Sequence, residues 1–179
     1  QLPTYYLPRW KTAGERGAES QSAGRFRARL ATYRKIEDWS WHEDPFVGTR
    51  PYKGLLVLMA MLNNSDFKPE QNALFEASGP RGARRRLFVI MDLGHSFGAT
   101  GIHNAPRGDA TAFEKHGFIE RITGERVEFE HQGLRAELFD RITIDDVQWM
   151  CRRLARLTDK QWRDAFRAAN YHPTESIRF

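Results

Sequence analysis

The chain has one cysteine, Cys151, so no internal disulfide can brace it. Read as a small hydrophobe between Met150 and Arg152, that thiol is expected to be buried. Long apolar runs are also missing. The longest, Leu55 to Leu62, has eight residues, against the roughly 20 a membrane-spanning helix needs. No signal-peptide pattern is visible in the 179 residues, and Gln1 in the first position fits processing or truncation. There is no internal repeat, no low-complexity tract and no Cys/His spacing of a zinc site. Lysine is scarce beside arginine. The net charge of +5 would suit nucleic acid, anionic lipid or acidic protein without choosing among them. With 40% hydrophobic and 28% charged residues, the composition is that of a soluble globular protein with one core.

What is present divides at about residue 46. Residues 1–46 read as an N-terminal arm, a flexible segment and a short helix. Leu2 to Trp10 combines two prolines with large apolar residues, as in an extended arm docked on a partner; Thr12 to Gly24 is rich in glycine and serine. In Arg25 to Tyr33 the apolar residues Phe26, Leu30 and Tyr33 have helical spacing. Arg25, Arg27 and Arg29 on its other faces would suit nucleic acid, although a solvated face is the simpler reading. Trp39 to Phe46 places aromatics at alternating positions before a turn.

Residues 47–179 read as an α+β, mainly α, domain with a small antiparallel hairpin sheet. Gly54 to Leu62 is a buried helix; Ala73–Ala77 and Leu87–Met91 are strands. Between the strands, Ser78 to Arg86 reads as a turn with four arginines. Val127 to Glu130 alternates as a short strand after the Thr123-Gly124-Glu125 turn. Thr143-Ile144-Asp145-Asp146 has the form of a helix start, followed by an apolar stripe of Val147, Met150, Cys151, Leu154 and Leu157. Thr158 to Gln161 is a capping box opening a second helix with Trp162, Ala165, Phe166 and Ala169, broken near Tyr171-His172-Pro173.

Two segments carry chemistry. Asn63-Asn64-Ser65-Asp66-Phe67-Lys68-Pro69-Glu70-Gln71-Asn72 sets a carboxylate, an ammonium and several amides where the apolar helix should end. Met91-Asp92-Leu93-Gly94 sets a second carboxylate at the end of a strand. The hairpin between them would return Asp92 to the end of the sheet that holds Asp66. A glycine-rich loop, His95 to Gly108, follows as a candidate substrate-facing segment. His95, His103 and His116 with Asp92 match no zinc spacing and read as ordinary loop histidines.

In this order of helix, Asp-x-Lys loop, strand pair and Asp-x-Gly turn, residues 50–100 resemble the C-terminal lobe of the protein-kinase-like superfamily. The pattern is also similar to that of uncharacterised bacterial kinase-like proteins with an Asn-Asn-x-Asp-x-Lys loop and an Asp-Leu-Gly turn. The resemblance implies a phosphotransferase acting with ATP and Mg²⁺. Asp66 would orient or deprotonate the acceptor hydroxyl, Lys68 would neutralise the transferring phosphoryl group, and Asp92 with Asn72 or Gln71 would hold the metal, Gly94 closing the turn.

The pattern also departs from the family's. Asn64-Ser65 stands where kinases carry His-Arg, which leaves no arginine to read a phosphorylated activation loop. The metal-binding amide belongs five residues after the aspartate, where this chain has Gln71; Asn72 is the sixth. The glycines of Thr12 to Gly17 follow no apolar strand, and the residues before the helix are too few for an ATP-binding N-lobe. Two readings follow: a phosphotransferase lobe whose partner lobe lies upstream or on another chain, met through the N-terminal arm, or an inactive kinase-like scaffold.

Overall fold

The computed structural model describes residues 33–79, 82–100, 108–168 and 171, all within the compact unit Thr32–Phe179. The arm, the flexible run, the helix expected from Arg25, the loop around His103, and Ala169, His172 and Pro173 lie outside the described residues. In chain order come β1 (Tyr33–Glu37), α1 (Arg50–Met61), a 3-10 turn (Pro69–Gln71), β2 (Asn72–Ser78), β3 (Arg84–Ile90) and α2 (Ala110–Lys115). Then follow β4 (Ile119–Thr123), β5 (Arg126–Phe129), a second 3-10 turn (Ala136–Phe139), α3 (Ile144–Leu154) and α4 (Asp159–Ala168).

The class is α+β, with small antiparallel sheets. β2 and β3 form the expected hairpin, in register from Asn72 opposite Ile90 to Ser78 opposite Arg84. β1 pairs antiparallel with the other edge of β2, so the sheet order is β1-β2-β3. Tyr33 therefore opens a strand instead of closing a helix. Arg84, Arg85 and Arg86 likewise belong to β3 and not to the turn; Glu76, opposite Arg86, lies 3.4 Å from Arg34 and 3.8 Å from Arg84. β4 and β5 form a separate ribbon turned at Gly124, whose φ of +60° glycine adopts without strain.

Residues 33–46 supply more than an edge strand. Trp39 and Trp41 are buried, and the Trp41 ring meets the edge of Phe67 at 5.1 Å. Phe67 meets Phe139 at 5.6 Å, which connects the segment of Trp39 and Trp41 to the chain after β5. Each such fully buried large apolar side chain stabilises the fold by about 1.5–3 kcal/mol. Tyr52 donates its hydroxyl to the Trp41 carbonyl, and burial followed by the charge of Asp44 pushes its phenol up to about 12.

α1 starts earlier than the apolar run suggested. Thr49 caps it through the Tyr52 N–H, and Pro51 occupies the first turn, where its missing N–H costs nothing. On α1, Gly54 is a point of close approach: a Cβ there would lie 2.5 Å from Cζ3 of Trp149 on α3. Beside it, Lys53 Nζ is 2.9 Å from Asp146 Oδ2. Burial opposes the Asp146 charge, but hydrogen bonds from Lys53 and Thr143 outweigh it and hold the carboxyl below its ordinary range. The same Asp146 completes a capping box with Thr143, and Gln161 completes one with Thr158 at the start of α4.

The stripe on α3 is narrower than its sequence suggested. Val147 is buried and Met150 and Leu154 are half-buried, whereas Cys151 and Leu157 are exposed. On α4, Phe166 is buried, Trp162 half-buried and Ala165 exposed. α3 packs on α1 along one side only, so a side chain one position off that line faces water.

Candidate functional site

The end of α1 decides where Asp66 sits. Asn63 takes φ +52°, a left-handed conformation that asparagine tolerates better than most residues. Its N–H donates to the Ala60 carbonyl at 3.0 Å and that of Asn64 to Met59 at 2.9 Å, the bond pair of a Schellman ending. Asn64, fully buried, uses both ends of its amide. Oδ1 accepts the Asp66 N–H at 3.0 Å, while Nδ2 donates to Ser96 Oγ at 3.0 Å. Phe67, with no exposed surface, pins the chain between Asp66 and Lys68.

The hairpin returns the second segment to the same place. The Gln71 carbonyl accepts the Met91 N–H at 2.8 Å, and Asp92 Oδ1 then accepts the Gly94 N–H at 2.8 Å, closing a turn. Beyond it, the Phe97 N–H donates to the Leu62 carbonyl at 2.8 Å and Asn63 Nδ2 to the Gly98 carbonyl at 2.8 Å. Phe97 itself has φ +59°, a strain on the order of 1–3 kcal/mol for a bulky side chain. Its ring is held against Phe113, Phe166 and Tyr171 at centroid distances of 5.7, 5.2 and 6.1 Å. The two segments are thus laced by side-chain amides and backbone, with the strain taken up at the seam.

Asp66 is 4% exposed and stands between two basic groups. Lys68 Nζ lies 3.7 Å from Oδ1 and His95 Nε2 lies 3.5 Å from Oδ2. Oδ1 is buried and has no hydrogen-bond partner among the described residues. Asn72 is fully buried at the start of β2, donating Nδ2 to the Trp39 carbonyl at 3.0 Å, while its Oδ1 is also without a hydrogen-bond partner. Gln71 remains at the end of the 3-10 turn, half-buried, with its carbonyl committed to the strand pair. The structure thus brings Asp66, Lys68 and the Asp92-Leu93-Gly94 turn into one neighbourhood, with Gln71 and Gly94 shaping it through their backbone.

The histidines separate. His95 joins Asp66, whereas the His116 ring bonds Thr100 Oγ1 at 2.6 Å and the Gly117 carbonyl at 2.8 Å. No group of three or more His, Cys, Asp or Glu side chains that could hold a metal occurs among the described residues. A magnesium ion needs fewer: it takes hard oxygen donors and keeps several waters. Asp92 and Asn72 Oδ1, which has no hydrogen-bond partner among the described residues, are donors of that kind, and the pairing of Asn72 with Ile90 puts Asn72 across from the strand end that leads to Asp92.

Three contributors were not legible in the sequence. The Asn63-Asn64 pair works as a cap and a lace. His95 meets a carboxylate twenty-nine positions earlier in the chain, at a distance no local pattern encodes. His131 packs its ring on Phe67 at 5.7 Å and Phe139 at 4.7 Å, with both ring nitrogens buried and without a hydrogen-bond partner among the described residues. Burial, and then the nearby His116, push its pKa down to about 4. Gly133 lets this segment approach the loop, since a Cβ there would lie 2.8 Å from Ser65 Cβ. Comparison with protein-family models, curated proteins and solved structures gives no match.

Proposed function

We propose that this chain is a kinase-like phosphotransferase C-lobe, a fragment or subunit that handles the phosphates of Mg²⁺–ATP. The observation that carries the reading is the lacing of the Asp66–Lys68 loop to the Asp92 turn, with His95 Nε2 3.5 Å from Asp66 Oδ2 and Lys68 Nζ 3.7 Å from Oδ1. Asp66 receives the acceptor's proton, and Lys68, whose long side chain is half exposed, swings to the transferring phosphoryl group. Asp92 and Asn72 are the residues that would hold Mg²⁺, which when bound neutralises the nucleotide's phosphate charge.

The test is calorimetric titration of Mg²⁺–ATP into this chain and into the complete native protein, each with its Asp92→Asn variant. Magnesium-dependent binding, at least tenfold weaker in Asp92→Asn, is the expected result. Unchanged binding in the variant removes Asp92 from the site.

One observation favours the alternative, an inactive kinase-like scaffold that docks partners through its N-terminal arm. Asp66 and Asn72 are buried, with 4% and 0% of their surface exposed, and the Asn72 amide is bound to Trp39. Absence of Mg²⁺–ATP binding in folded samples of both forms favours the scaffold.

A further inference from the structure

We infer that His95 is a positioning residue for Asp66: it fixes one carboxylate oxygen, so that the other is the one offered to the acceptor hydroxyl once Lys68 turns towards the phosphoryl group. The inference rests on the phosphotransferase reading above. A carboxylate turns readily about its terminal bond, so an aspartate serving as proton acceptor needs something to fix which oxygen is presented. In the kinase pattern the residues just before the aspartate are His-Arg; here Asn64 and Ser65 stand there. Asn64 is spent on the Asp66 backbone N–H and on Ser96, and neither bond reaches the carboxylate.

The two oxygens of Asp66 have different surroundings. Oδ2 lies 3.5 Å from His95 Nε2. Oδ1 is buried, has no hydrogen-bond partner among the described residues and lies 3.7 Å from Lys68 Nζ, the half-exposed cation whose turn towards the phosphoryl group would uncover it. His95 is suited to hold Oδ2, because its neighbours on both sides are fixed: the Gly94 N–H is bound to Asp92, and Ser96 is bound through its N–H to Leu93 and through its hydroxyl to Asn64. A neutral imidazole with its proton on Nε2 is sufficient, since it acts only as a hydrogen-bond donor.

In the step itself, the acceptor hydroxyl gives its proton to Asp66 Oδ1 as its oxygen bonds the γ-phosphorus. The bond from that phosphorus to the β–γ bridging oxygen breaks, and its electron pair leaves with the nucleoside diphosphate. His95 neither gains nor loses a proton. Asp66 later returns its proton to solvent.

The experiment pairs nitrogen NMR of the His95 ring with steady-state hydrolysis of Mg²⁺–ATP, water serving as acceptor, in the complete native protein. The expected spectrum is the Nε2–H tautomer, with the His95 resonances displaced in Asp66→Asn. His95→Ala should lower kcat about 10- to 100-fold, as removal of an orienting partner commonly does. KM for ATP should stay within about twofold, because ground-state binding is untouched. His95→Gln, which keeps an N–H donor and a folded loop, should recover most of kcat. An active wild type with kcat unchanged in His95→Ala, or a ring protonated only at Nδ1, overturns the positioning role and leaves the phosphotransferase reading standing. A folded wild type that neither binds nor hydrolyses Mg²⁺–ATP overturns both.

Discussion

α1 makes two junctions, and they are built in opposite ways. Along its side, at Gly54, it meets α3 by shape: Trp149 lies where a side chain would otherwise be, with Lys53–Asp146 at the margin. At its C-terminal end it meets the turn after β3 by directed hydrogen bonds, through Asn63, Asn64 and Leu62 to Gly98, Ser96 and Phe97. Apolar packing accepts small shifts at modest cost, whereas a set of buried amide bonds is satisfied in one arrangement and costly in others. The side junction holds the domain together. The end junction fixes where Asp66 and Asp92 stand relative to each other.

Breaking the polar junction should have the largest effect. Asn64→Ala strands the buried Asp66 N–H and Ser96 hydroxyl, and a loss of about 3–5 kcal/mol in urea-denaturation stability is expected. A loss of only about 1–3 kcal/mol would put the two junctions on an equal footing. Next comes Gly54→Ala, whose methyl would meet Trp149 at 2.5 Å; overpacking of this kind costs about 1–3 kcal/mol. A double-mutant cycle with Trp149→Leu should recover most of the loss, and additive effects would show that the close approach is not its cause.

The third effect shows only in acid. His131 holds its proton more weakly when folded, near pH 4, than when unfolded, near 6.5. Above pH 6.5 neither state is protonated there and the residue is neutral in the balance. As the pH falls towards 4 the unfolded chain alone gains the proton, and stability drains away. The loss attributable to this residue at pH 4.5 is about 2 kcal/mol. His131→Phe, which keeps a ring against Phe67 and Phe139, should reduce the fall in melting temperature between pH 7 and pH 4.5. An unchanged slope would mean that other groups carry the acid sensitivity.

What the sequence made legible were features with local causes. The eight-residue apolar run marked α1, the Ser78 to Arg86 turn between two apolar segments marked the hairpin although its last three residues belong to β3, and Thr143 and Thr158 announced two helices by their caps. β1 was missed because Tyr33 to Glu37 has no apolar alternation; it is a strand because β2 offers an open edge. β4 is exposed along its whole length and carries no burial signal to read. At the candidate site, Asp66, Lys68 and Asp92 were singled out by residue types and order. The pairing with His95 and the tasks of Asn63 and Asn64 depend on contacts between segments far apart in the chain, which periodicity cannot report.

The outward position of Cys151 on α3 has a practical corollary. As the chain's one thiol, it accepts a maleimide dye at one defined position with no mutagenesis, on a surface away from the buried face of α3. The same accessibility invites cross-linking of two molecules during storage in air, and a reductant keeps such samples monodisperse.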